Sequence, residues 1–190
     1  MKKSFYIKVS AAALLVFMGA FAVTVSASHS WGVYHWARAA NPFTLKLGDN
    51  MSSLWDARLA LASSDWNASS VLDTEVVPGQ TNPKNCRATS GRVEVCNSKY
   101  GNNGWLGIAQ IWVSGAHITQ GVAKLNDTYF NLPKYNTSAW RQFVACQEIG
   151  HTFGLDHQDE DFYNANLGTC MDYTNDPSGT IQGQAGNEHP

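Results

Sequence analysis

The stretch Cys146-Gln147-Glu148-Ile149-Gly150-His151-Thr152-Phe153-Gly154-Leu155-Asp156-His157 constrains this chain more than any other. Residues four apart lie on one face of a helix, so positions 147 and 151 point the same way, with Glu148 beside them. Trp140, Phe143 and Val144 lie above them on that face, and Ala145, Cys146, Ile149 and Phe153 make another face apolar. A helix apolar on most sides is a buried one. Burial suits a site that must be rigid and partly dry. Gly154 ends the helix by adopting a left-handed conformation that costs most residues energy. The chain then turns back and can bring His157 to the same point. Such a meeting suits a zinc site with an open position for water, and Glu148 is placed to take that water's proton.

The scaffold before this stretch reads mainly as strands. Phe43 to Leu47 alternates apolar and polar residues. Asn50 or Ser52 caps a helix running to about Ser63, with Leu54, Ala57 and Leu61 as its buried stripe and Trp55 and Leu59 alongside. Val71 to Val77, Val93 to Cys96, Leu106 to Val113 and Ile118 to Leu125 are four further strands, separated by glycine-, asparagine- and proline-rich loops. Thr137 or Ser138 caps the helix that carries Glu148. The acidic run Asp159-Glu160-Asp161 reads as a solvated turn, with Ca2+ as the rival because close carboxylates suit hard cations. His29, His35, His117 and His189 have no ligand spacing and read as surface or core residues.

Residues 1–27 read as a secretory signal: Lys2, Lys3 and Lys8 start it, Ala11 to Val25 is apolar, and Val25-Ser26-Ala27 offers a cleavage site. The apolar run is short for a membrane span of about 20 residues. Residues 28–175 then form one domain with a single core, and 176–190 is a polar, glycine-rich flexible tail. Four cysteines behind a signal suggest two disulfides. A net charge of -2 points to no nucleic-acid partner and, after signal cleavage, no membrane partner. Asn50, Asn67, Asn126 and Asn136 sit in glycosylation sequons.

Glu148, His151, Gly154 and His157 match the signature His-Glu-x-x-His-x-x-Gly-x-x-His at its own spacing, and Thr169-Cys170-Met171-Asp172-Tyr173 matches the tight methionine turn that follows it. In these two pieces the chain resembles the metzincin metallopeptidases, with Gln147 where that family has its first histidine. The resemblance implies an α+β fold: a twisted five-stranded mixed sheet, mostly parallel with one antiparallel edge strand, and a buried active-site helix. By order, Leu106 to Val113 is that edge, on which a peptide adds as a further strand. The resemblance also implies Zn2+ held by His151 and His157, Glu148 as general base, and Tyr173 supporting the metal or the oxyanion. The implied protein is a secreted, monomeric zinc endopeptidase acting on proteins or peptides. Gln147 supplies the second reading, an impaired pseudo-peptidase or binding module, because an amide oxygen is a weak neutral ligand for zinc. Of the three pairings open to four cysteines, the favoured one is Cys86 with Cys96, closing a short loop, and Cys146 with Cys170, tying the helix to the methionine turn.

Mass spectrometry of exported protein is expected to find Ser28 at or near the N-terminus. A mature chain still starting at Met1 in a membrane fraction would overturn the signal assignment.

Overall fold

The structure is a computed structural model and describes residues 29–180. The expected signal and the end of the expected tail lie outside the described residues. Six strands form one sheet: β1 (His35–Trp36), β2 (Phe43–Asn50), β3 (Leu72–Pro78), β4 (Val93–Ser98), β5 (Gly107–Ser114) and β6 (His117–Asn126). Three helices accompany it: α1 (Ser53–Trp66), the single turn α2 (Asp127–Phe130) and α3 (Ser138–His151). The spatial order is β1-β6-β4-β2-β3, with β5 also on β6. Every pairing is parallel except β5 with β6. The chain is thus α+β with a mostly parallel sheet. The two-residue β1 adds to the five expected strands, and its alternation is too short to read from sequence.

Central β4 is buried on both faces, with Val93, Val95 and Cys96 inaccessible to solvent. That is the pattern of a strand with parallel neighbours and covered faces. β5 pairs with no strand but β6 among the described residues, so its other edge is free of a strand partner, as the resemblance implies for Leu106 to Val113.

The helices correct one expectation. The buried stripe of α1 is Trp55, Leu59, Ala62 and Trp66, whereas Leu54 is 60% exposed. The i, i+4, i+7, i+11 set wins because it buries two tryptophans, whose area outweighs that of leucine and alanine. Trp66 also has a polar reason to face inward: its Nε1 donates to the Cys146 carbonyl at 3.2 Å, docking α1 on α3. At the other end of α3, the Thr137 hydroxyl accepts from the Trp140 backbone N–H at 3.2 Å and caps the helix.

Every residue of α3 from Arg141 to His151 is buried. Gly150 lets two large side chains reach the helix: a Cβ there would meet Met171 Sδ at 2.5 Å and Trp66 Cζ2 at 2.6 Å. The cysteines pair as expected, Cys86 with Cys96 and Cys146 with Cys170. Pro177–Thr180, at the start of the expected tail, forms a 3-10 turn with Pro177 buried. Two of the sequons are closed by folding. Asn50 and Asn126 are buried and hydrogen-bonded, Asn50 to Glu94 and Asn126 to the Gly101 carbonyl.

Cys146–Cys170 spans 24 residues and fixes the methionine turn against α3. Replacing both cysteines by alanine is expected to lower unfolding free energy by about 3 kcal/mol in urea titration, from the entropy of the opened loop. A loss below about 0.5 kcal/mol would mean that packing alone holds the turn.

Candidate functional site

The site is built where α3 ends. Thr152 closes the helix, its hydroxyl donating to the Ile149 carbonyl at 2.6 Å. Gly154 then takes φ +96°, and a Cβ at this position would collide with the Tyr34 carbonyl. Residues 29–36 strap this reversal in place. Trp31 N–H donates to the Gly154 carbonyl at 2.7 Å, Asp156 N–H to the His29 carbonyl at 2.7 Å, and Trp36 Nε1 to the Thr152 carbonyl at 2.9 Å.

The reversal brings the two histidines together. His151 Nε2 and His157 Nε2 lie 3.2 Å apart, with the rings at 82°. His151 Nδ1 is 2.9 Å from the Leu155 carbonyl. A carbonyl only accepts, so Nδ1 carries the proton and Nε2 of neutral His151 presents a lone pair toward His157. This is how a metal-binding imidazole is held by its outer contacts. Burial lowers the His151 pKa to about 4, and burial also lowers that of His157 against the pull of Asp156 and Glu160. Both rings are therefore neutral near pH 7, the form that binds metal. Trp31 stacks on His151 with ring centres 5.3 Å apart, and Tyr173, 43% exposed, tilts over His157 at 5.1 Å.

Gln147 does not complete this pair. Its Nε2 donates to the Asp172 carbonyl at 2.8 Å, so the residue links α3 to the methionine turn one position on from the disulfide. Among the described residues no cluster of three His, Cys, Asp or Glu side chains could hold a metal ion. Two oriented imidazoles fit a divalent ion, but they fall one short of the three protein ligands of catalytic zinc centres. The calcium alternative at 159–161 finds no such cluster either. There Asp159 and Asp161 cap their own turn, accepting from the backbone N–H of Asp161 at 2.8 Å and Tyr163 at 3.1 Å. Met171 is fully buried, and its carbonyl accepts from Gln158 N–H, next to His157, at 2.7 Å.

Glu148 is pressed against the free edge strand. A Cβ on Gly107 of β5 would meet Glu148 Cγ at 2.5 Å and Oε1 at 2.7 Å, so only glycine leaves room for the carboxyl. Burial pushes the Glu148 pKa up to about 8, opposed by a backbone hydrogen bond from Ala109. Beside it opens a cleft of about 320 Å³ between β5, α3 and the segment after the methionine turn. Leu106, Tyr135, Trp140, Phe143 and Val144 make its walls apolar, and Gln147, Glu148 and Tyr173 reach it from α3 and the turn.

The structure thus brings His151, His157 and Tyr173 together at one end of α3, with Glu148 in the adjoining cleft. Sequence reasoning missed Trp31, Gly107 and the Leu155 carbonyl. Each acts through a fold contact or a backbone atom and leaves no local pattern.

In metal-free protein the raised pKa of Glu148 makes a specific pH signature. From pH 4.5 to 8 the folded chain keeps a proton that the unfolded chain releases, so its contribution to stability is present at low pH and lost as pH rises, by at most about 1.4 kcal/mol per unit. The lowered pKa of His151 acts oppositely, losing stability as pH falls from 6.5 to 4. Glu148→Gln is expected to flatten the decline between pH 6.5 and 8 in urea midpoints. Parallel wild-type and variant curves there would show that Glu148 is already ionised.

No protein-family model matches the chain, and no curated protein does. Thirteen chains of known structure match. One is high choriolytic enzyme 1, a hatching enzyme zinc-protease from Oryzias latipes, the medaka fish, with a TM-score of 0.35 and 14% identity over 65% of this chain. The match spans 50% of the fish enzyme's chain.

Proposed function

We propose that this chain is a secreted peptidase of metzincin type, which lays an extended peptide along the free edge of β5 and hydrolyses it beside Glu148. The observation that carries this reading is the convergence of His151 Nε2 and His157 Nε2 at 3.2 Å at the end of the helix whose Glu148 abuts that edge. A free strand edge offers backbone N–H and C=O groups that pair with an incoming peptide. The adjoining apolar cleft accepts one of its side chains. Glu148, once ionised, takes the proton of the attacking water and passes it to the leaving amine. The Tyr173 hydroxyl donates to the oxygen of the attacked carbonyl. Zinc, for which His151 and His157 are the candidate holders, would supply Lewis acidity and a more acidic water.

One observation favours a second reading, a peptide-binding relative without turnover. Gln147 donates its amide N–H to the Asp172 carbonyl, and among the described residues no third His, Cys, Asp or Glu joins the pair.

Zinc titration and digestion of an unfolded protein separate the two. Gln147→His is expected to tighten zinc binding at least tenfold, or about 1.4 kcal/mol, and to raise digestion. Glu148→Gln in that background is expected to abolish digestion while zinc stays bound. Wild type that digests as fast as Gln147→His would make Gln147 a competent partner. Gln147→His that binds no zinc would rule out the metal geometry. Peptide binding without digestion in wild type and Gln147→His alike would establish the second reading.

A further inference from the structure

At the opposite end of the sheet, β4 is too short to fill its place. β2 meets β4 only from Leu47 onward, so residues 43–46 pair with β3 alone. β6 meets β4 only from Gly121, and its first residues, His117 and Ile118, pair instead with β1. Where β4 stops, a cavity of about 400 Å³ opens, and no residue lines both it and the cleft beside Glu148. Volumes of this size hold small ligands.

The lining is of two kinds. Trp36, Phe43, Trp66, Leu72 and Phe153 make the walls, with Trp66 set edge-on to Phe153 at 5.3 Å. The polar indole nitrogens face away from it, Trp36 Nε1 to the Thr152 carbonyl and Trp66 Nε1 to the Cys146 carbonyl, so the walls offer hydrocarbon. The rim carries basic side chains. Arg38, His35 and His117 line the cavity and are exposed, and no Asp or Glu among the described residues lines it. His35 and His117 stand edge to face at 4.9 Å. Arg38 forms no ion pair among the described residues, whose salt bridges join Arg92 to Glu94 and Arg141 to Asp127. Among the described residues, a rim without acids and with an unpaired guanidinium stands out in a chain of net charge -2.

We propose that this cavity binds a small carboxylate with an aromatic or short acyl body. The body lies among the tryptophan and phenylalanine rings, and the carboxylate meets Arg38, whose planar fork matches it in two hydrogen bonds. The inference is independent of the peptidase reading.

Calorimetry on metal-free exported protein tests it with 3-phenylpropionate, its neutral amide and the corresponding amine. The carboxylate is expected to bind at least tenfold tighter than the amide, and the amine not measurably. Arg38→Gln is expected to reduce the preference over the amide to below threefold, with the amide affinity unchanged. Val71→Trp, which fills the cavity from the loop before β3, is expected to remove both. Should that variant fail to fold, Arg38→Gln decides alone, because its side chain is exposed. Equal binding of carboxylate and amide, or an unchanged preference in Arg38→Gln, overturns the proposal. So does the absence of saturable binding at millimolar ligand. Loss of binding on Trp140→Ala but not on Arg38→Gln would place the ligand in the cleft beside Glu148 instead.

Discussion

The reversal at Gly154 holds the site together. A helix can present Gln147, Glu148 and His151 by its own periodicity, but His157 reaches them only if the chain doubles back within six residues. That path needs a positive φ and a position without a side chain, since the Tyr34 carbonyl occupies the space a Cβ would take. The same turn spends its carbonyls on useful partners. Thr152 accepts from Trp36, Gly154 from Trp31, and Leu155 from His151. The last of these fixes which nitrogen of His151 faces His157. Backbone hydrogen bonding and imidazole tautomer are therefore one arrangement.

The second constraint is the crowding around α3. Gly150 admits Met171 and Trp66 to one side of the helix, and Gly107 admits Glu148 to the free strand on another. Both glycines lie in regular structure with ordinary backbone angles, so their value is space. Gln147 belongs to the same packing. Its bond to Asp172 stands next to the Cys146–Cys170 link, so two consecutive residues of α3 grip the methionine turn. A histidine at 147 would trade that amide bond for a ring, which is why the residue bears on both stability and chemistry.

Much of this was legible in the sequence, and for physical reasons. The strands β2 to β6 announced themselves through alternation or apolar runs bounded by loops, and α3 through its cap and spacing. The favoured disulfide pairing rested on a short loop for one bond and, for the other, on the resemblance that sets the methionine turn against the helix. The stripe of α1 was misread because leucine spacing was weighed above tryptophan area. β1 was missed because two residues carry no period. The burial of the Glu148 carboxyl against Gly107 comes from a neighbouring strand, the cavity where β4 is absent from strands of unequal length, and the Trp31 ring on His151 from residues more than 100 positions apart, as does the Trp36–Thr152 contact with its separation of 116. No local pattern encodes such meetings.

The strap formed by residues 29–36 has a consequence for the order of events in the cell. These residues are made before their partners, which lie at Ala116, Thr152, Gly154 and Asp156. A chain that emerges from its N-terminus must carry this segment unsatisfied until nearly the whole domain has followed. The methionine turn that is tied to α3 arrives later still. Contacts of such long sequence separation form late and are slow to close. On a growing chain the strap can therefore close only once Asp156 has followed, and α3 meets the methionine turn only when synthesis has passed Asp172.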